Sequence, residues 1–151
     1  MSNLRIISRE SKVPKPIEEV FSFFCNAENL NLITPPELNF MITTPLPIEM
    51  KKGTLIDYRI KLGGISFNWQ TEITEWEPPN RFVDRQVRGP YKVWVHEHLF
   101  LSLGSSTIVK DVVEYQPKGW IAEPLIHKLF VKKKLEHILD YRQNKIKSIF
   151  K

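Results

Sequence analysis

The sequence predicts an α+β fold in which a curved antiparallel sheet wraps a long C-terminal helix, with two short helices after the first strand. Three observations carry this prediction. Five strand-like runs succeed one another between Gly53 and Tyr115, and the segments between them are short and rich in Gly, Pro, Asn and Ser, as hairpin connections are. Beyond Gly119 the apolar residues recur at near-helical intervals instead. Ahead of the five runs, prolines punctuate one strand and two short helical stretches.

Each element has its own warrant. Leu4 to Val13 alternates two residue sets and reads as an amphipathic strand, which Pro14 and Pro16 terminate. Proline is preorganised for a first helical position, and Ile17, Val20, Phe21 and Phe24 follow at spacings of three and four, so a helix begins near Pro16. Asn26 caps a second short helix through Leu32, which ends at Thr34-Pro35-Pro36 because a residue before proline is pushed out of helical geometry. A proline-broken strand lies near Asn39 to Thr44. The five main runs are Thr54 to Leu62, Phe67 to Glu77, Arg81 to Arg88, Tyr91 to Leu103 and Thr107 to Tyr115. Gly63-Gly64, Pro78-Pro79-Asn80, Gly89-Pro90 and Gly104-Ser105 connect them as a meander. In the terminal helix Ile121, Leu125, Leu129, Ile138, Leu139, Arg142 and Ile146 recur with lysines between them, and Pro124 is the expected kink.

Composition bounds the class. The 151 residues, 42% hydrophobic and 26% charged, suit one domain over 1–151 with a sizeable core. The formal charge of +5 is concentrated: residues 116–151 hold nine Lys or Arg against three Asp or Glu. No basic-plus-apolar leader is present, and no apolar run reaches the roughly 20 residues of a membrane span, so a soluble, cytoplasmic protein is expected. Cys25, the single cysteine, excludes an intramolecular disulfide and sits after two phenylalanines as a small buried hydrophobe. No nucleophile elbow, Ser-His-Asp signature or phosphate-binding glycine loop is present, which argues against hydrolysis and nucleotide transfer.

The run from Gly89 to Phe100 is the most informative for function. Strand alternation puts Trp94, His96, His98 and Phe100 on one face. Two aromatics and two imidazoles on one face point into an enclosed space rather than into water.

Four motifs then carry a resemblance over nearly the whole chain. They are Pro16-x-x-x-Val20-Phe21, Asn29-Leu30-x-x-Ile33-Thr34-Pro35-Pro36, Trp76-x-Pro78-Pro79-x-Arg81-Phe82-x-Asp84 and Gly89-Pro90-Tyr91-x-x-Trp94-x-His96-x-His98-x-Phe100. With the order of elements, they resemble the START-like helix-grip (SRPBCC) superfamily of polyketide cyclases, pollen-allergen-like carriers and lipid-transfer domains, nearest a bacterial branch of uncharacterised ligand-binding proteins.

The resemblance implies a cavity between the concave sheet face and the last helix, and strand alternation proposes its lining. The first of the five runs contributes Ile56, Tyr58 and Ile60, and the second Phe67, Trp69, Thr71 and Ile73. Phe82, Asp84 and Gln86 follow, then Trp94, His96, His98 and Phe100, then Val109, Asp111 and Val113. Leu125, Leu129 and Phe130 are the expected helix wall. Arg88 shares the alternation of Asp84 and Gln86 and is placed at the mouth, whereas Arg59 and Arg85 face out. By analogy with the resembled fold, Thr44-Pro45-Leu46-Pro47 and the Gly89-Pro90 turn govern access.

Two functions use this pocket. The first is binding or transport of a small, largely hydrophobic molecule, with ligand-contacting residues Tyr58, Phe67, Trp69, Phe82, Asp84, Gln86, Trp94, His96, His98, Phe100, Asp111 and Leu129. The second is a cofactor-free cyclase, dehydratase or isomerase, with His96 or His98 as base and Asp84 or Asp111 as its partner. The same two carboxylates and two imidazoles can instead satisfy one another in place. His-x-His on a strand sets two imidazoles about 7 Å apart and permits a two-His-one-carboxylate metal site; metal and cofactor are nevertheless expected to be none. No nucleic-acid partner is expected, and Lys132, Lys133 and Lys134 offer an anionic-surface contact.

Overall fold

The computed structural model describes residues 4–151, with all their side chains except those of Trp120 and Ile121. The place of Ile121 in the terminal apolar stripe therefore lies outside the described residues. β1 (Arg5–Val13) leads into α1 (Ile17–Phe24), a 3-10 helix over Ala27–Ile33 and a further short turn at Pro36–Leu38. β2 (Met41–Ile42) is a two-residue strand, and β3 (Leu55–Leu62), β4 (Ile65–Glu77), β5 (Arg81–Arg88), β6 (Tyr91–Leu103) and β7 (Ser106–Pro117) form the meander. These bounds match the expected runs to within two residues. Pro16 occupies the cap position of α1 rather than its first turn, and the Asn26 side chain accepts from Glu28 N at 3.0 Å, as expected of a cap.

All pairings are antiparallel, in the order β1-β7-β6-β5-β4-β3-β2. Three bulges reset which residues face inward. Thr71 pairs with Gln86 while Gln70 pairs with Arg88, so Val87 is an extra residue and Arg88 is thrown to the outer face. Arg88 is exposed and pairs across from Gln70, so its expected place at the cavity mouth is corrected. Thr74 is extra on β4, which turns Trp76 inward beside Phe82. Lys92 is extra on β6, and it puts Tyr91 on the same face as Trp94.

The C-terminal helix is interrupted. After a 3-10 turn at Gly119–Ala122, a single α turn, α2 (Pro124–Ile126), passes into a π-helical turn over His127–Val131 and then into α3 (Lys132–Ile149). The π turn accommodates an extra residue, so positions before it are rotated by roughly 100° from where a continuous α-helix would hold them. Leu125 precedes the turn while Leu129 and Phe130 lie within it, and all three face solvent, at 64%, 43% and 64% exposure. Six and five residues before Leu135, Leu129 and Phe130 fall roughly 120–140° from the buried stripe of α3. The expected helix wall is wrong for these three. Leu135, Ile138, Leu139 and Arg142 of α3 take their place.

Two apolar clusters fill the interior. Val13, Phe21, Phe24, Ile73, Phe82, Phe100, Val109 and Ile146 belong to one, and Ile7, Trp69, Tyr91, Val113, Leu135 and Leu139 to the other. A polar layer crosses the fold between them: Ser11 on β1, Asp111 on β7, His96 and His98 on β6, Asp84 on β5, Thr71 on β4, and Arg142 and Gln143 on α3. Cys25 is half-buried, and that burial pushes its thiol pKa up. Among the described residues no helix is long and apolar enough to cross a membrane.

Candidate functional site

A cavity of about 150 Å³ lies between the sheet and α3. An apolar hole of about that size elsewhere holds benzene, so this one has room for at least an aromatic ring. Its wall comprises Ile56, Tyr58, Ile60, Trp69, Thr71 and Ile73 of β3 and β4, Phe82 and Asp84 of β5, Tyr91, Trp94, His96 and His98 of β6, and Val113 of β7. The first helices add Phe24, Leu30, Ile33 and Leu38. The expected ligand residues Tyr58, Trp69, Phe82, Asp84, Trp94, His96 and His98 are thus brought together. Tyr58 stacks on Trp69 at 5.6 Å, and Trp94 meets Trp69 edge-on at 5.3 Å, both favourable ring geometries.

Five expected residues do not line it. Phe67 is half-buried outside the wall. Gln86 closes the β5–β6 turn instead: its Nε2 donates to Tyr91 O at 2.7 Å and its Oε1 accepts from Tyr91 N at 3.0 Å. An added Cβ at Gly89 would sit 2.5 Å from Gln86 Oε1, so any other residue there would displace the Gln86 side chain from this turn. Phe100 is packed among Phe21, Phe24 and Phe82, and Leu129 is on the outer face. Asp111 is fully buried behind the imidazoles.

The imidazoles and carboxylates pair diagonally. Phe82, His98 and His96 form a stack, with centroids 4.0 and 3.8 Å apart, much closer than the strand rise between the two histidines. His98 Nε2 meets Asp84 Oδ2 at 2.6 Å, although His98 lies opposite Asp111 in register. His96 Nε2 meets Asp111 Oδ1 at 2.8 Å, although His96 lies opposite Asp84. Arg142 Nε donates to Asp111 Oδ2 at 3.1 Å, and Gln143 Nε2 donates to the same oxygen at 2.7 Å. Ser11 Oγ donates to Gln143 Oε1 and holds that amide in place.

This layer sets the protons. Burial alone raises the Asp111 pKa, but Arg142 and the two imidazole bonds reverse that and hold it well below the usual carboxylate range. Asp84 is likewise lowered against its burial, by its bond from His98. Burial lowers His96, and the adjacent His98 lowers it further. His98 moves the other way: burial opposes its protonation, and the bonds to Asp111 and Asp84 outweigh burial. In its neutral ring, Arg142 Nη2 donates to Nδ1 at 3.1 Å, so the proton is on Nε2 and donates to Asp84. Both His98 nitrogens are therefore engaged. His96 differs, because Nε2 donates to ionised Asp111 and Nδ1 has no partner among the described residues.

Asp84, His96 and His98 each offer a ligand atom within 4.8 Å of the others. That is the two-His-one-carboxylate pattern that His-x-His on a strand permits. A divalent ion there would displace the bonds to His98 and meet the Arg142 cation on the same ring, so the donor set fits proton chemistry better than metal.

Sequence reasoning missed Arg142 and Tyr91 as site residues. Arg142 carried a signal, being a charged residue in phase with Leu135, Leu139 and Ile146 on the buried helix face. Tyr91 carried none, since the Lys92 bulge is invisible to alternation. Trp69 Nε1 is the one buried side-chain polar atom without a partner among the described residues.

A START superfamily protein from Mycobacterium smegmatis superposes with a TM-score of 0.69 at 16% identity, covering 95% of this chain and 98% of the other. The aromatase/cyclase ZhuI from Streptomyces sp. R1128 gives 0.73 at 14% identity, over 96% and 92%. A ginseng major latex-like protein from Panax ginseng gives 0.71 at 12% identity, over 99% of each chain. These likenesses establish the helix-grip fold. No curated protein matches the chain significantly in sequence. The family model described as polyketide cyclase / dehydrase and lipid transport matches residues 13–136, and the chain belongs to that family.

Proposed function

We propose that the protein binds or carries a small, largely hydrophobic molecule in the cavity between the sheet and α3. The observation that carries this reading is the lining itself, aromatic and aliphatic on most sides with one polar layer at Asp84, His96, His98 and Arg142. Such a pocket gains affinity from apolar burial and orientation from a few polar contacts. The orphaned Trp69 N–H and the Tyr58 hydroxyl add two donors for an oxygen-bearing ligand. Titration with an apolar aromatic probe, read by tryptophan fluorescence, tests it. Trp94→Ala and Trp69→Ala should weaken binding in graded steps, and probe affinity unchanged in both would refute it.

Acid–base catalysis in the same pocket is the second reading, and one observation favours it. His96 is neutral, anchored by Asp111 and free at Nδ1, the arrangement of a general base with an orienting carboxylate. It would take a proton from an acidic C–H or O–H of the bound molecule, and Asp111 would stabilise the resulting imidazolium. His96→Ala should then abolish turnover with modest loss of affinity, and His98→Ala should act through position alone. A carrier has no turnover to lose.

A further inference from the structure

The outer face of the interrupted helix combines exposed apolar side chains with lysines that form no salt bridge among the described residues. Leu125, Leu129 and Phe130 are exposed, and Pro124 to Leu135 contains four lysines and no Asp or Glu. Lys128, Lys132 and Lys133 are exposed, and none forms a salt bridge among the described residues. The face is held in this orientation from behind. His127 is 3% exposed, and its Nε2 bonds the Tyr115 hydroxyl at 2.7 Å on the buried side of the π turn.

We propose that this face docks the protein onto anionic lipid membranes. The acyl boundary takes the leucine and phenylalanine side chains while lipid phosphates take the ammonium groups, the two-part recognition of an interfacial amphipathic helix. Charge excludes a second copy as the natural occupant, since a two-fold contact would set these lysines against their own copies. A nucleic-acid backbone would neutralise the lysines but leave Leu125, Leu129 and Phe130 in water. The docked face is five residues, about 7.5 Å along the axis, from Leu135 in the cavity wall. A membrane-dissolved apolar molecule and the cavity would therefore be brought close together.

The test is co-sedimentation of the full chain with vesicles of phosphatidylcholine alone and of phosphatidylcholine mixed with phosphatidylglycerol. Binding should require the anionic lipid and fade with added salt. The triple variant K128Q/K132Q/K133Q should lose on the order of 100-fold in partition coefficient, and L129S/F130S at least about tenfold. Thermal melts of both should match the parent protein, because the replaced side chains are exposed. Ile138→Trp, which fills the cavity, should bind vesicles like the parent, so this test is independent of the cavity reading. The proposal is overturned by equal binding to neutral vesicles, by no binding to either, by unaltered binding of both surface variants, or by a dimer in solution that covers Phe130.

Discussion

Replacing Arg142 with methionine should destabilise the protein in a pH-dependent way, with the larger loss on the alkaline side. Arg142 Nε donates to Asp111 Oδ2 at 3.1 Å, its Nη2 donates to His98 Nδ1 at 3.1 Å, and its guanidinium carbon lies 5.3 Å from the Phe24 ring centre. Methionine retains much of the apolar stem but leaves Asp111, which is fully buried, without its cation. Breaking a buried pair on one side costs roughly 3–5 kcal/mol. For 151 residues that corresponds to a melting temperature lower by roughly 10–15 °C. The pH dependence comes from His98, which Arg142 holds down by charge. Without Arg142 its pKa rises further above the unfolded value, and a protonated Nδ1 replaces the guanidinium beside Asp111 Oδ1, 3.4 Å away. A raised imidazole stabilises the fold below its unfolded pKa, and that contribution is lost as pH rises through the folded pKa. Each unit of additional shift recovers about 1.4 kcal/mol in acid. Urea unfolding of parent and variant at about pH 5.5 and pH 8 measures both quantities. A loss equal at the two pH values, or below about 1 kcal/mol at pH 8, would refute the argument that Arg142 and His98 share the task of neutralising Asp111.

Leu139→Ala should cost roughly 2–5 kcal/mol in the same unfolding measurement and Leu129→Ala under about 0.5 kcal/mol, because Leu139 is on the buried face of α3 and Leu129 is exposed. In the parent protein, stability should fall as pH drops below about 6.5, since His96 and His127 have folded pKa values lowered by burial and resist charging. His98 opposes this slope, and its contribution fades as pH rises through its raised folded pKa. Further acid should remove the contribution of Asp84 and Asp111, present above about pH 3.9 and lost as pH falls through their lowered folded values; a profile flat from about pH 8 to about pH 2 would contradict these assignments. Arg88→Ala should leave probe affinity in the cavity unchanged by fluorescence titration, because the bulge at Val87 puts Arg88 on the outer face.

The strands were legible because period-two alternation and hairpin residues agree at each boundary. Trp69, Trp94, His96 and His98 could be assigned to the inner face for the same reason. Faces were lost where the backbone inserts a residue: Arg88 after the Val87 bulge, Tyr91 before the Lys92 bulge, and Leu125 before the π turn. Alternation and helical period assume continuity, and an insertion exchanges inside for outside without changing composition. The polar layer was legible in its residue types but not in its pairing. Which imidazole reaches which carboxylate depends on the combined register of β5, β6 and β7 and on Arg142 arriving from α3.

Native mass spectrometry of the purified parent protein and of Ile138→Trp, with release and identification of any bound molecule and with an apolar aromatic probe added to whichever is empty, tests the central claim most directly. The account predicts one organic molecule or one probe per chain in the parent and neither in the cavity-filled variant. A molecule retained equally by the variant, a bound metal ion in place of an organic molecule, or a parent chain that neither carries a molecule nor takes up the probe would contradict it.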